Sequence, residues 1–435
     1  MTMKKLFIAS LALASLPAWA AEPSFDPALV QKGEYLARAG DCVACHTAKG
    51  GKPFAGGLPM ETPIGTIYST NITPDKTGIG EYSYEDFDQA VRHGIGKSGS
   101  TLYPAMPYPS YARVSDEDLQ ALYAYFMKGV QPVPQENKDV DIPWPLSMRW
   151  PLAFWRGMFA PKVEPFKAAG NDDIINRGAY LVEGLGHCGA CHTPRAITMQ
   201  EKALNPADGK EFLAGSAPLE GWIAKSLRGD HKDGLGSWSE ADLVAFLKTG
   251  RSDRTAVFGG MSDVVEHSMQ YMSDADLTAI ARYLKSLPAV NPDDKPQVYD
   301  KAVAEALWKG DDSKPGASVY IDNCAACHRT DGKGYTRVFP ALAGNPVLQT
   351  EDPTSLIHIV LKGGTLVATK TAPSNFTMPS YAWRLSDQEV ADVVNFIRTS
   401  WGNKGSQVSA KDVKALRTDD LKTTSGDDLG QVTSK

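Results

Sequence analysis

All six cysteines of the chain lie in one motif, Cys-x-x-Cys-His, which occurs three times. The copies are Cys42, Cys45 and His46, then Cys188, Cys191 and His192, then Cys324, Cys327 and His328. Two thiols at this spacing can add to the two vinyl groups of a haem, while the imidazole of the following histidine reaches the iron. The motifs therefore predict three covalently bound haem c groups and an electron carrier.

Other uses of paired cysteines fit the spacing less well. Zinc knuckles come about fifteen to twenty residues apart, whereas Cys42 and Cys188 are 146 positions apart and Cys188 and Cys324 are 136 apart. A thioredoxin-like pair would lie between a strand and a helix and would not recur three times before a histidine. Disulfide bonds remain an alternative only if haem is not delivered.

An electron-carrying haem needs a second axial ligand, and a methionine thioether suits a higher reduction potential. Met106 and Met378 are each followed by a proline, which predicts extended loops against the haem. Met261 follows Gly259-Gly260, and we expect a loop there too. The alternatives for the second haem are Met269 and Met272, for which packing is the usual role. Further possible ligands are the histidines His93, His187, His231, His267 and His358.

The first twenty residues resemble an export signal. Lys4 and Lys5 precede an apolar run from Leu6 to Leu16, and Ala18-Trp19-Ala20 follows. This pattern predicts a cleaved signal peptide and a mature chain that starts at Ala21. No later segment offers about twenty uninterrupted apolar residues, so we expect no membrane-spanning helix. The net charge of −6 argues against nucleic acid as a partner.

Repeated features divide the mature chain into three units of similar plan. A glycine and an aromatic residue precede each motif and predict a first helix, as in Gly33-Glu34-Tyr35. A closing helix is predicted after Ser115, Ser273 and Ser386, each followed three residues later by an acidic residue. The fold class is therefore mainly α, with three tandem class I cytochrome c domains. The expected boundaries are 1–20 signal peptide, 21–140 domain 1, 141–170 Trp-rich linker, 171–290 domain 2, 291–310 linker, 311–402 domain 3 and 403–435 polar tail.

The segment from Trp144 to Phe159 is dense in Trp, Phe, Leu and Met and includes two arginines. Such a composition suits a bilayer interface or a groove on a partner. Packing between the first two domains is an equal alternative. The tail from Gly402 to Lys435 is polar, and we expect it to be mobile.

Several segments resemble the triheme cytochrome c subunit of membrane-bound dehydrogenases. They are Asn71–Asp75, Gly78–Gly80, Tyr103–Tyr108, Gly186–Arg195 and Met261–Val265. The family includes the cytochrome subunits of gluconate 2-dehydrogenase, of related flavin sugar and polyol dehydrogenases and of quinoprotein alcohol dehydrogenases. The resemblance covers nearly the whole mature chain.

The resemblance implies that a separate large subunit oxidises the substrate with FAD or pyrroloquinoline quinone (PQQ). This chain would pass the electrons to ubiquinone at the periplasmic side of the inner membrane, as a peripherally associated subunit. A small third subunit is left open. The resemblance also implies that Pro340 accepts a hydrogen bond from the ring of His328. Arg195 is assigned either to a haem propionate or to solvent.

The chain shows no Gly-rich strand-to-helix turn for a nucleotide, so we expect no substrate-oxidising site on it. A haem enzyme such as a peroxidase would need an open iron, and the methionine candidate in every unit argues against that. A free periplasmic multihaem carrier is the remaining alternative, in which the Trp-rich segment would only pack.

Overall fold

The computed structural model describes residues 26–168 and 170–424. The predicted signal peptide lies outside these residues. As predicted, the described part is mainly helical, and its two sheets are short antiparallel hairpins.

The region around the first motif is built from five helices and one hairpin. These elements are α1 (Pro27–Ala39), α2 (Cys42–Cys45), β1 (Pro59–Thr62), β2 (Gly65–Tyr68), α3 (Tyr84–Val91), α4 (Tyr108–Tyr111) and α5 (Asp116–Ala124). In the hairpin Pro59 pairs with Tyr68 and Thr62 with Gly65. A π-helical turn, Tyr125–Gly129, extends α5.

The region around the second motif follows helix α6 (Trp150–Phe159). Its helices are α7 (Asp173–Glu183), α8 (Gly189–His192), α9 (Glu240–Thr249), α10 (Gly260–His267) and α11 (Asp274–Ser286). A short 3-10 turn, Met269–Tyr271, joins the last two.

The third region contains six helices and the second hairpin. They are α12 (Ala302–Trp308), α13 (Ala317–Asn323), α14 (Ala325–His328), α15 (Thr354–Lys362), β3 (Gly364–Thr365), β4 (Thr377–Met378), α16 (Asp387–Arg398) and α17 (Ala410–Thr424). Gly364 pairs with Met378 in the hairpin. Each of the three regions has its own hydrophobic core.

In all three regions the helix before the motif packs against the closing helix, α5, α11 or α16. The predicted serine caps are confirmed, because Ser115, Ser273 and Ser386 each accept a hydrogen bond from the amide three residues later. A Cβ atom at Gly33 would lie 1.9 Å from the carbonyl oxygen of Ala121. The helices approach this closely only because glycine has no side chain.

The expectation of a mobile tail was wrong for its first part. Helix α17 packs against α15 and α16, and Val408 and Val413 are buried in the third core. The Arg417 guanidinium also donates to Asp387, over 2.7 Å. The polar composition misled the prediction because two well-placed valines and one ion pair are enough to hold this segment.

The Trp-rich segment forms helix α6, and its inner face packs. Trp155 Nε1 donates to the carbonyl of Thr198 in the second region, over 2.7 Å, and the Trp155 ring meets Tyr108 in the first region edge to face. The outer face is exposed. Trp150, Phe154 and Met158 have exposed fractions of 63%, 65% and 68%.

Candidate haem-binding sites

Short helices position the three Cys-x-x-Cys-His motifs in the same way. The amide of each histidine donates to the carbonyl of the first cysteine, four residues earlier, over 2.9 to 3.0 Å. The motif is therefore one turn of helix, which places both thiols and the imidazole along one edge. All six thiols are free in the structure.

Each motif histidine is held by one backbone carbonyl. Nδ1 of His46 is 2.7 Å from the oxygen of Thr70, that of His192 is 2.8 Å from Lys225 and that of His328 is 2.9 Å from Pro340. A carbonyl only accepts, so Nδ1 carries the proton and Nε2 keeps its lone pair for a metal. The contact expected for Pro340 is confirmed.

The carbonyls of Thr70 and Lys225 were not predicted. The three acceptors follow their histidines by 24, 33 and 12 residues. No common spacing marks them in the sequence, and any residue type can supply a carbonyl. Only the folded chain identifies these two partners.

Burial sets the protonation states in the motifs. It lowers the pKa of His46 and His328 and brings that of His192 to about 4, so these rings are neutral near pH 7. Burial raises the pKa of Cys42, Cys188 and Cys324 to about 12. A thioredoxin-like redox pair requires a lowered thiol pKa, so these sites do not fit that chemistry.

Each candidate methionine lies on the same core as the first cysteine of its motif. Met106 and Cys42 are both partly buried against the first core, Met261 and Cys188 against the second, and Met378 and Cys324 against the third. Met106 and Met378 lie outside helices, as expected.

Met261 differs from the expectation of a loop, because it lies in the first turn of α10. Its side chain is only partly buried, whereas Met269 and Met272 are buried in the second core. The alternatives to Met261 thus have the packing role expected of them.

Two buried donors in the second region fit a haem with its propionates. Nζ of Lys225 and Nε1 of Trp238 have no hydrogen-bond partner among the described residues. The ammonium lies 4.2 Å from the centre of the Trp238 ring, and burial lowers the pKa of Lys225 to about 7. Leaving such donors unpaired costs about 1–3 kcal/mol each. A carboxylate placed near the Lys225 carbonyl, which holds His192, could accept hydrogen bonds from both Lys225 Nζ and Trp238 Nε1.

Arg195 instead donates to two nearby carbonyls, those of Met199 and Ala190, over 2.6 and 2.7 Å. The guanidinium therefore braces the loop that follows the second motif. Neither a propionate nor bulk solvent is needed to explain its position.

The remaining histidines have contacts of other kinds. His93 lies 3.8 Å from Asp88, His187 Nδ1 bonds the carbonyl of Leu185, and His231 bonds Ser237. His267 lies beside two exposed carboxylates, and the ring of His358 packs on Trp222.

The first two motifs are neighbours in space. The ring of Tyr111, in the first region, meets that of His187, next to Cys188, with centroids 5.6 Å apart. Burial raises the pKa of Cys45 to about 11, and the nearby thiol of Cys191 adds to this shift. Two redox groups held by these motifs would therefore be close to each other.

Comparisons with known proteins agree with this chemistry. The family model described as Cytochrome c matches residues 313–401, and that of the cbb3-type cytochrome c oxidase subunit III matches residues 28–126. The gluconate 2-dehydrogenase cytochrome c subunit of Pantoea cypripedii is 65% identical over 96% of both chains. The cytochrome c subunit of the quinone alcohol dehydrogenase of Gluconacetobacter polyoxogenes is 59% identical over 94% of this chain and 88% of that relative. The fructose dehydrogenase cytochrome subunit of Gluconobacter japonicus is 39% identical over 92% and 84%.

Proposed function

The chain belongs to the family of dehydrogenase cytochrome c subunits, and on that premise we propose that it is the electron-transfer subunit of a gluconate 2-dehydrogenase type complex. The observation that carries the proposal is the threefold motif in which a half-buried, neutral histidine donates from Nδ1 to a backbone carbonyl. The similarity to the Pantoea subunit over 96% of the chain supports the type of complex.

We assign one haem c to each motif, making three. Thioethers would form at Cys42 and Cys45, at Cys188 and Cys191, and at Cys324 and Cys327. The axial pairs would be His46 with Met106, His192 with Met261, and His328 with Met378. Such a group, when bound, supplies reversible one-electron transfer at iron.

The three haem groups correspond to three tandem class I cytochrome c domains, with the boundaries 21–140, 171–290 and 311–402. Separate cores support this division. A repeated contact between the first and closing helices also supports it, since Gly178 and Gly316 approach a carbonyl as Gly33 does.

Intact mass spectrometry of the exported chain tests the haem count. The mature wild type should carry three haem additions, and a Cys188→Ser/Cys191→Ser variant should carry two. Replacing Met106, Met261 or Met378 by Leu should each lower the potential of one haem, by about 100 mV or more. A haem whose potential does not respond would have another ligand.

The partner is a large dehydrogenase subunit that carries FAD or PQQ. Relatives named for gluconate, alcohol and fructose dehydrogenases support a catalytic partner of this class. Electrons leave this chain to ubiquinone at the periplasmic side of the inner membrane. The isolated chain should show reduced-haem bands but no oxidation of gluconate.

Co-purification from native membranes tests the partner. A bound flavoprotein with gluconate activity is the expected result. A PQQ subunit would instead indicate the alcohol dehydrogenase type, and release as a single chain without detergent would indicate a free periplasmic carrier.

The outer face of α6 is the surface that we assign to the bilayer. Trp150, Phe154 and Met158 form one exposed apolar stripe at four-residue spacing. Within residues 144–168 the chain has four basic residues and one acidic residue, although its net charge is −6. An apolar stripe with flanking positive charge suits the interface of an anionic membrane. No described helix is both long and apolar enough to cross a bilayer.

Sedimentation with anionic phospholipid vesicles tests this surface. Replacing Trp150, Phe154 and Met158 by Ser should reduce binding at least tenfold, because each buried apolar side chain is worth about 1.5–3 kcal/mol. The matched control replaces the exposed Trp308 and Trp383 of the third region by Ser. If the control lost vesicle binding to the same extent, the outer face of α6 would not be the membrane-binding surface.

A further inference from the structure

The loop that carries Met106 contains two tyrosines with unpaired hydroxyl groups. The hydroxyls of Tyr103 and Tyr108 are buried and have no hydrogen-bond partner within residues 26–168 and 170–424. Tyr108 has an exposed fraction of 0%. A buried hydroxyl without a partner destabilises the folded chain, so two of them on one loop require an explanation.

Helix α6 and the turn before it lie over these tyrosines and contribute a third unpaired donor. The guanidinium carbon of Arg149 is 4.0 Å from the centre of the Tyr103 ring. Arg156 donates from one terminal nitrogen to the carbonyl of His93, over 3.4 Å. Its Nε is buried and has no acceptor in the described chain. Three donors without acceptors are therefore gathered between α6 and the loop of Met106.

The cover over these donors is loosely held. No residue of α6 is buried, and the few polar contacts of its inner face, with those of Arg149, end on backbone carbonyls. Aromatic rings border the unpaired donors, since Trp155 of α6 meets Tyr108 edge to face with ring centres 6.4 Å apart. A flat ring with hydrogen-bond acceptors could enter here after a small displacement of the helix.

We propose that Tyr103, Tyr108 and Arg156 form the binding site for the head group of a membrane quinone. A quinone has two carbonyl oxygens that accept hydrogen bonds and a planar ring that packs between aromatic side chains. Its isoprenoid tail would run along the outer face of α6 into the bilayer. The inference rests on the proposed function, to which it adds the place where electrons leave the chain.

The neighbouring Met106 connects this site to the electron source. Met106 lies between the two tyrosines, and its carbonyl accepts from the amide of Tyr108, over 2.8 Å. A haem held by the first motif would supply electrons to this site one at a time. Two electrons and two protons from water convert one quinone to one quinol, and the quinol then leaves along α6.

Photoaffinity labelling of the whole complex with an azido-ubiquinone tests the location independently of turnover. The label should map to peptides that contain residues 103–108 or 149–159. Excess ubiquinone should compete with it, and phospholipid should not. Tyr103→Phe, Tyr108→Phe and Arg156→Gln should each reduce labelling about fivefold, which corresponds to one lost hydrogen bond.

Matched controls are Tyr335→Phe, at an exposed phenol of the third region, and Arg282→Gln, which removes a surface ion pair with Glu240. Both should label like the wild type. Normal haem spectra would show that each variant is folded, and Arg156→Gln keeps the test valid if a tyrosine variant does not fold.

Three results would overturn the assignment. Labelling at another surface of the chain would refute this location and leave ubiquinone as the acceptor. Unchanged labelling with a shifted potential of the first haem would show that the phenols serve the haem. A complex that reduces a soluble acceptor but no quinone would refute the proposed function itself.

Discussion

The junction between the first and second regions is reciprocal, whereas the junction between the second and third is not. Tyr35 of the first region donates to Asp276 of the second, over 2.6 Å, and Tyr180 of the second donates to Asp118 of the first, over 2.7 Å. This exchange is that of an isologous interface, in which two copies of one surface meet. A duplicated unit has thus kept a dimer-like contact within one chain.

The second and third regions meet through unrelated contacts. The amide of Ile223 donates to Ser355 Oγ, over 2.8 Å, and Asn345 donates to Thr255, over 3.0 Å. Arg251 donates to the carbonyls of Val367 and Ser374. Among residues 26–168 and 170–424, none of these contacts has a counterpart with the two regions exchanged.

The helix caps record the same difference. In the third region Glu389 completes a capping box by accepting from the amide of Ser386. The equivalent Asp118 and Asp276 each bind a tyrosine from the other region and a cation of their own region, Lys32 or Arg177. The acidic residue three positions after the serine therefore caps its own helix in the third region. In the first two regions the same position binds across the junction instead.

The largest effect is expected where the first helix touches the closing helix. A Cβ atom at Gly178 would lie 2.0 Å from the carbonyl oxygen of Ala279. Gly178→Ala should therefore destabilise this helix pair by about 2–3 kcal/mol. Amide hydrogen exchange of α7 and α11 measures the change in their opening free energy.

The matched control is Gly157→Ala in α6, where the added Cβ atom meets nothing within 4 Å. That change should stabilise α6 by about 0.5–1 kcal/mol, since alanine is the better helix former. The two Gly→Ala substitutions should thus change stability in opposite directions. If both substitutions changed stability in the same direction, the close approach of α7 and α11 would not be what requires glycine at position 178.

A smaller effect is expected from the tyrosines of the reciprocal junction. Tyr35→Phe and Tyr180→Phe each remove a hydrogen bond to a carboxylate and should cost about 1.5–3 kcal/mol. The protection of the α5 and α11 amides from hydrogen exchange should fall by similar amounts in the two variants. The control is Tyr335→Phe, at an exposed hydroxyl. If only one tyrosine mattered, the junction would be symmetric in geometry but not in energy.

The smallest effect depends on pH. Burial raises the pKa of Asp276, but hydrogen bonds from Arg177 and Tyr35 and the Arg177 charge outweigh it and lower the pKa overall. A carboxyl with a lowered folded pKa contributes stability above its unfolded pKa, about 3.9, and loses it as the pH falls through the folded value.

Arg177→Met should accordingly cost about 1 kcal/mol at pH 7, and the difference from the wild type should shrink as the pH falls below about 3.9 and Asp276 becomes protonated. Thermal unfolding of the two proteins across this range measures it. Arg337→Gln, which removes an exposed pair with Asp253 at the other junction, should cost less than about 0.5 kcal/mol at either pH. A cost for Arg177→Met that persists at low pH would be due to packing rather than charge.

Local patterns explain how much could be predicted. The Ser caps, the first and closing helices and the motif turns follow from residues that are close in sequence, and the structure agrees with each. The outer surface of α6 could be suspected from composition, but a helix with one packed and one exposed face was not distinguished from its alternatives. The helix that extends the third region beyond residue 409 was missed, because its buried residues are few.

The sequence by itself determined which thiols, imidazoles and thioethers are available to hold haem, because the order and spacing of these residues are fixed along the chain. Only the tertiary structure decided which carbonyls orient His46 and His192 and which tyrosines join the first two regions. It also decided which donors beside Met106 have no acceptor in the part of the chain that the structure describes. Tyr35 and Asp276 are 241 residues apart, and a contact at that separation depends on how whole helices pack.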